Sequence, residues 1–229
     1  MGEETPLRER PRRWGLVHAA GVLAVKLGAD VAIGAVLWAG PGRDASAVII
    51  CLLSAASWLP VLALLALAAR ATSDAPLVPW RGPGGHKTIL VVTVGVAVTG
   101  VSLVLSILAG DASTPLEDAI RSPLDLWAVV VFALVAAPVV EEIFFRGYLY
   151  TALENTLGGW LSVLLVGLLF GLFHGLQYAG VPAALAAVTL MGLGTTWVRR
   201  YTGGVLPCIL LHVAYNAVGI SVLLLTTEV

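Results

Sequence analysis

The sequence predicts an all-α protein, a polytopic membrane helix bundle of about seven transmembrane helices. Of its 229 residues, 59% are hydrophobic and only 12% are charged, whereas soluble domains average about 45–50% apolar residues. The mean hydropathy is +0.94. The apolar residues also gather into long runs, and a helix needs about 20 such residues to cross a bilayer. We therefore expect a protein embedded in the lipid bilayer rather than a soluble one.

Charge and cysteine content narrow the function classes further. The chain holds 13 Lys and Arg against 14 Asp and Glu, for a net charge of −1. Nucleic acid is excluded as a partner, since no broad basic surface is left to neutralise phosphates. The 2 cysteines, Cys51 and Cys208, lie inside apolar runs and form neither a disulfide framework nor a metal-binding pair. The oligomeric state is left open.

Seven apolar runs, each bounded by charge, Gly or Pro, justify the predicted helices in order. A basic N-terminus, 1–13, precedes the first run, and three helices with their loops occupy 14–125. Positive residues accumulate in short cytoplasmic loops, and the outer loops of this layout hold only Arg43 and Arg121. The N-terminus is therefore predicted to be cytoplasmic, in what the composition suggests is a bacterial inner membrane. The predicted spans are 14–40, 47–69, 88–110, 126–153, 160–177, 182–198 and 204–226.

Ionisable residues within these spans are costly, so each is a candidate for a partner or a function. In the first span, Lys26 and Asp30 are four residues apart and so share a helical face. The favoured interpretation is a structural ion pair. In the fourth span, Glu141 and Glu142 are consecutive, and Glu142 has Arg146 four residues on. Glu141 is left without a local counter-charge, which suits a general base, although such a cluster can also mark the end of a helix.

Three further polar positions lie on later spans. The fifth span carries Phe170 and His174, and the seventh carries His212 and Asn216, each pair four residues apart on one face. A single His in an apolar helix is more often a packing residue than a catalyst. However, residue 158 is midway between Glu142 and His174, and Gly there predicts a turn. The carboxylates and His174 are therefore expected to meet at similar depth.

The ordered motifs E-E-x-x-x-R (Glu141, Glu142, Arg146), F-x-x-x-H (Phe170, His174) and H-x-x-x-N (His212, Asn216) resemble the CAAX-protease and bacteriocin-processing family. This family of intramembrane endopeptidases is also called CPBP or Abi. The resemblance places a protease core at 126–229. It implies hydrolysis of a peptide bond near the C-terminus of a membrane-associated or lipidated protein, so the implied partner is such a protein or peptide.

Carried over by motif position, Glu141 with His174 would activate a water, and His212 with Asn216 would stabilise the oxyanion. Glu142, Arg146 and Phe170 would support them. No cofactor is favoured, but Glu141, Glu142, His174 and His212 offer an alternative zinc site with an open position for water. A non-catalytic bacteriocin-immunity protein and a transporter with a proton relay are also compatible with these polar residues.

Overall fold

The protein is described by a computed structural model that covers residues 16–39, 44–71, 78–109, 113–175, 177–178 and 180–226. Helices and connecting turns make up this part of the chain, and it contains no strand. The all-α prediction is therefore confirmed. The predicted basic N-terminus, 1–13, lies outside the described residues.

Eleven α-helices and two π-helical segments follow one another along the described residues. The first half of the chain contains α1 (Leu16–Ala39), α2 (Ala47–Ser57), α3 (Leu59–Ala71), α4 (Gly85–Ala109) and α5 (Pro115–Asp118). The second half contains α6 (Pro123–Val131), α7 (Ala137–Glu142), α8 (Tyr150–Leu157), α9 (Gly159–Phe173), α10 (Pro182–Thr202) and α11 (Leu206–Thr226). The π segments, Phe132–Ala136 and Ile143–Leu149, join α6, α7 and α8 into one long helix.

Each predicted span is mostly helical where the structure describes it, although not every one has the length or polarity expected of a membrane span. Within the described residues, 5 stretches are long and apolar enough to cross a membrane, namely Val17–Leu37, Ala47–Leu67, Lys87–Leu105, Pro123–Leu157 and Leu206–Leu225. The second predicted span is interrupted at Trp58, between α2 and α3. α9 has only 15 residues, and α10, which ends on Arg199 and Arg200, is not among the 5.

The long helix contains a proline, and the surrounding structure compensates for it. In the first π segment the N–H of Ala137 donates to the carbonyl of Phe132, five residues back. The same pattern would pair the carbonyl of Ala133 with residue 138, but that residue is Pro138, which has no N–H. Asn216 of α11 supplies the missing donor, because its Nδ2 lies 2.8 Å from the carbonyl oxygen of Ala133. The proline thus ties the long helix to α11.

Close packing of α9 against α10 brings two parts of the site together. A Cβ added at Gly167 would lie 2.9 Å from the Cα of Leu193, and one at Gly192 would lie 2.9 Å from the carbonyl oxygen of Gly167. Side chains larger than hydrogen therefore do not fit at this crossing, as is common where membrane helices approach closely. The backbone of α10 is thus held against α9, which carries Phe170 and ends at His174.

The core surrounds the second π segment, and the outer surface is apolar. Phe144, Phe145 and Tyr148 are buried and pack with Trp58 and Phe170, among other side chains. Outside this core, large apolar side chains on several helices are exposed, for example Val17, Ile89, Leu172 and Leu225. A surface of this kind is suited to lipid rather than water, in agreement with an integral membrane protein.

Candidate active site

The second glutamate of the pair is buried in a bonded network. Glu142 is fully buried at the end of α7. Its Oε1 accepts hydrogen bonds from Arg146 Nη1, at 2.9 Å, and from His212 Nδ1, at 2.8 Å. The ion pair predicted from the four-residue spacing is confirmed. The structure adds that Glu142, across 70 residues of sequence, also holds the histidine of α11.

Arg146 is fully buried, and its guanidinium donates hydrogen bonds to three different residues. Besides Glu142, its Nη2 donates to the carbonyl of Gly192 at 2.7 Å, and its Nε donates to Thr196 Oγ1 at 3.1 Å. The guanidinium also lies over the ring of Phe170, 4.4 Å from the centroid. A buried charge is stable only when it is paired and hydrogen bonded, and α10 and α9 supply these partners. Arg146 is therefore an anchor between three helices.

Oε2 of both glutamates is buried without a donor among the described residues, but Glu141 differs from Glu142 in what this oxygen faces. Glu141 Oε2 lies 3.8 Å from His174 Nε2 and 4.0 Å from His212 Nε2. Both separations are too long for a direct hydrogen bond and are typical of polar groups bridged by water. The carboxylate that the sequence left without a local partner therefore faces the ring nitrogens of two histidines.

The orientation of His174 is set by its own helix. Its Nδ1 lies 2.8 Å from the carbonyl oxygen of Phe170, and a carbonyl can only accept, so Nδ1 carries the proton. In the neutral ring, Nε2 then presents a lone pair towards Glu141. His174 is the residue that follows the end of α9, so the helix of 160–177 predicted from the sequence is shorter in the structure. The predicted approach of His174 to the carboxylates is confirmed.

Phe170 and Asn216 have structural contacts of their own. The Phe170 ring packs on His174, with centroids 4.5 Å apart, and on His212 at 5.7 Å, so it separates and orients the two imidazoles. Asn216 shares a helix with His212, but its amide is bonded to the carbonyl of Ala133 rather than to the glutamates. The structure thus gives Asn216 a role in holding the long helix that spacing alone did not indicate.

A cavity of about 530 Å³ opens beside Glu141 and His174, within the usual size of ligand pockets. Its lining includes Lys26 and Asp30 from α1, and Phe145 and Phe173 from the core, among other side chains. Along α1 the lining extends from Lys26 to Leu37, which is about 16 Å at 1.5 Å per residue. An elongated space of this kind accommodates a short extended peptide.

A metal ion would need a different arrangement of these groups. Among the described residues, no group of three or more His, Cys, Asp or Glu side chains is placed to hold a metal. Tetrahedral zinc with ligands at about 2.0–2.1 Å brings donor atoms to about 3.4 Å from one another. The separations of 3.8 and 4.0 Å at Glu141 are wider.

Sequence reasoning found the side chains of the site but not the groups that position them. It did not single out Thr196 or Arg199, and the latter donates from Nε to the carbonyl of Arg146 at 3.0 Å. The sequence did contain a signal for the structural contact of Asn216, since Pro138 inside an apolar helix leaves a backbone carbonyl without its usual N–H donor. The contacts of α10 had no comparable signal in the sequence, because every residue has a backbone carbonyl and nothing marks the one that will bind a distant side chain.

Comparison with known proteins agrees with the motifs. Residues 123–218 match the family model described as Rce1-like, type II CAAX prenyl endopeptidase. This match confirms the resemblance stated from Glu141, Glu142, Arg146 and the two histidines, and it supports a CAAX-type intramembrane endopeptidase, a hydrolase. No curated protein and no solved structure matches the chain.

Proposed function

Because residues 123–218 match the Rce1-like CAAX endopeptidase family, we propose that this protein cleaves a peptide bond near the C-terminus of a membrane-associated or lipidated protein. Glu141, His174, His212 and Asn216 are the proposed catalytic residues. The observation that carries the proposal is the buried Oε2 of Glu141, which has no bonded donor among the described residues and faces Nε2 of both histidines.

Glu141 and His174 are proposed to activate the attacking water. A water molecule between Glu141 Oε2 and His174 Nε2, which are 3.8 Å apart, can donate one hydrogen to each. Transfer of one proton to Glu141 generates the hydroxide that attacks the carbonyl carbon. The protonated Glu141 then returns that proton to the leaving amine as the C–N bond breaks, so a single carboxyl group serves as base and acid.

His212 and Asn216 are proposed to stabilise the oxyanion. His212 Nδ1 donates to Glu142, so an oxyanion donor at Nε2 requires the doubly protonated ring, which would lie between the carboxylates of Glu141 and Glu142. Asn216 commits one amide hydrogen to Ala133, and its second amide hydrogen has no acceptor in the described part of the chain. Each donor of this kind typically contributes about 2.7–4 kcal/mol to catalysis.

We propose a metal-free glutamate mechanism, with zinc as the alternative. The donor separations around Glu141 support it, since they exceed those of a tetrahedral zinc site. A zinc enzyme built from Glu141, His174 and His212 remains testable in the same assay. If prolonged chelation abolishes cleavage and added zinc restores it, the metal-free mechanism is wrong.

The Glu141→Gln variant tests the proposed function. The purified protein, reconstituted in lipid, is assayed on a prenylated peptide with a CAAX C-terminus, and products are identified by mass spectrometry. We expect cleavage by the wild type to fall by about 10²–10⁴-fold in the variant, the usual contribution of a general base. Glu117→Gln is the matched control, because Glu117 is exposed and Gln preserves the capping box of α5.

Retention of wild-type cleavage by Glu141→Gln would refute catalysis through Glu141. If neither the wild type nor the variant cleaves, and unprocessed C-termini do not accumulate in a cell carrying the variant, a non-catalytic immunity or transport function is favoured. Comparative membrane proteomics of the two strains provides that second measurement.

A further inference from the structure

Lys26 and Asp30 of α1 lie in the same cavity as Glu141 and His174. The sequence favoured a structural pair for them, and the two side chains are indeed ion-paired. However, the pair is outside residues 123–218, the part of the chain that matches the family. Lys26 is also buried and lines a cavity large enough for a peptide, which a structural role does not require.

The surroundings of Lys26 hold its ammonium in one place. Nζ donates to Ser57 Oγ at 3.3 Å and lies 4.2 Å above the ring of Trp58 and 5.8 Å from that of Phe173. Trp58 and Phe173 both pack on Phe145, four residues after Glu141. The rings that surround the cation therefore belong to the same aromatic cluster as Phe145, on the helix that carries the proposed base.

We propose that Lys26 binds the C-terminal carboxylate of the substrate tail, which deepens the proposed function and rests on it. A carboxylate that enters an apolar cavity needs a cation to offset its lost hydration. Glu141 and Lys26 line one cavity, so a short extended tail, at about 3.3–3.6 Å per residue, would place a scissile bond at Glu141 and its own carboxylate at Lys26. The site therefore selects short C-terminal tails over internal loops.

Asp30 neutralises Lys26 in the absence of peptide and can make room for it. The side chain of Lys26 is 5% exposed, whereas that of Asp30 is 29% exposed. The carboxylate of Asp30 is thus the more accessible member of the pair and has room to turn towards solvent, while Ser57 and Trp58 hold the ammonium. The peptide carboxylate then takes a position that Asp30 occupies in the free protein.

The second cation of the cavity provides an internal control. Among the described lining residues, Arg121 is the other Lys or Arg side chain. It is exposed and donates to the carbonyl of Asp44, whereas Lys26 is buried. Its substitution therefore removes a cation from the cavity lining without changing the surroundings of Lys26.

The test compares two forms of one prenylated CAAX peptide, the free acid and the C-terminal carboxamide. With wild-type protein we expect kcat/KM to be about 10–100-fold higher for the acid, the usual value of a hydrogen bond to a charged group. In Lys26→Met this preference should disappear, because cleavage of the acid falls to the level of the amide. The double variant K26M/D30N should lose the preference in the same way, without leaving an unpaired carboxylate. The control Arg121→Gln should keep the preference for the free acid.

Each result has a defined meaning. Equal cleavage of acid and amide by the wild type overturns the proposal without any variant. So does a preference that survives in K26M and K26M/D30N, or one that disappears only in Arg121→Gln. If the wild type cleaves neither peptide, the proposed function fails together with this inference. If the wild type cleaves both peptides equally and Glu141→Gln cleaves neither, only this inference is overturned.

Discussion

Replacement of Asn216 by alanine removes the donor that compensates for Pro138. In the wild type, Asn216 Nδ2 lies 2.8 Å from the carbonyl oxygen of Ala133, which the π segment cannot pair because residue 138 has no N–H. Pro138→Ala restores a backbone N–H at that position. The effect of the Asn216 substitution should therefore depend on the residue at position 138, and the two substitutions form a double-mutant cycle.

The expected magnitudes follow from the cost of a buried carbonyl without a donor, about 1–3 kcal/mol. Hydrogen bonds between membrane helices average about 0.6 kcal/mol and reach about 1.7 kcal/mol. We expect Asn216→Ala to lower the free energy of unfolding by about 1–2 kcal/mol in the wild type. In the Pro138→Ala background it should cost about 1 kcal/mol less, since the backbone then supplies the donor.

Thermal unfolding in detergent, followed by circular dichroism, measures this coupling. For a chain of this size 1 kcal/mol corresponds to about 2–4 °C in Tm. Ser221→Ala is the control on the same helix, because Ser221 is exposed and bonds only to the carbonyl of Ala217 one turn back. Additive effects of the Asn216 and Pro138 substitutions, within about 0.5 kcal/mol, would refute the compensation of Pro138 by Asn216.

Two further expectations concern the stability of the site. Glu142→Gln leaves the buried Arg146 guanidinium without its counter-charge and should lower the free energy of unfolding by about 3–5 kcal/mol. Glu141→Gln should leave Tm unchanged. Equal Tm values for the two variants would contradict the separate roles of the glutamates. Gly167→Ala forces a methyl group to within 2.9 Å of Leu193 Cα and should cost about 1–3 kcal/mol. Gly100→Ala, which has open space around it inside α4, should instead raise stability by about 0.5–1 kcal/mol in the same thermal assay, since alanine is favoured over glycine within a helix.

The candidate site was predictable to the extent that it depends on position along a helix. The four-residue spacing of Glu142 and Arg146 is a local property, and their ion pair follows from it. The approach of His174 to Glu141 followed from a turn at Gly158, where φ is 82°, since residues equally far from a turn lie at similar depth. These features need no information from outside the segment.

The sequence by itself determined the fold class, the helical spans and the short set of polar residues inside them, because burial of charge in an apolar helix is costly wherever the helix lies. Only the tertiary structure decided which distant groups surround each carboxylate. Glu142 binds His212 across 70 residues, and Arg146 binds the carbonyl of Gly192 in α10. Such contacts depend on how helices pack side by side, and packing is set by the shapes of several helices at once.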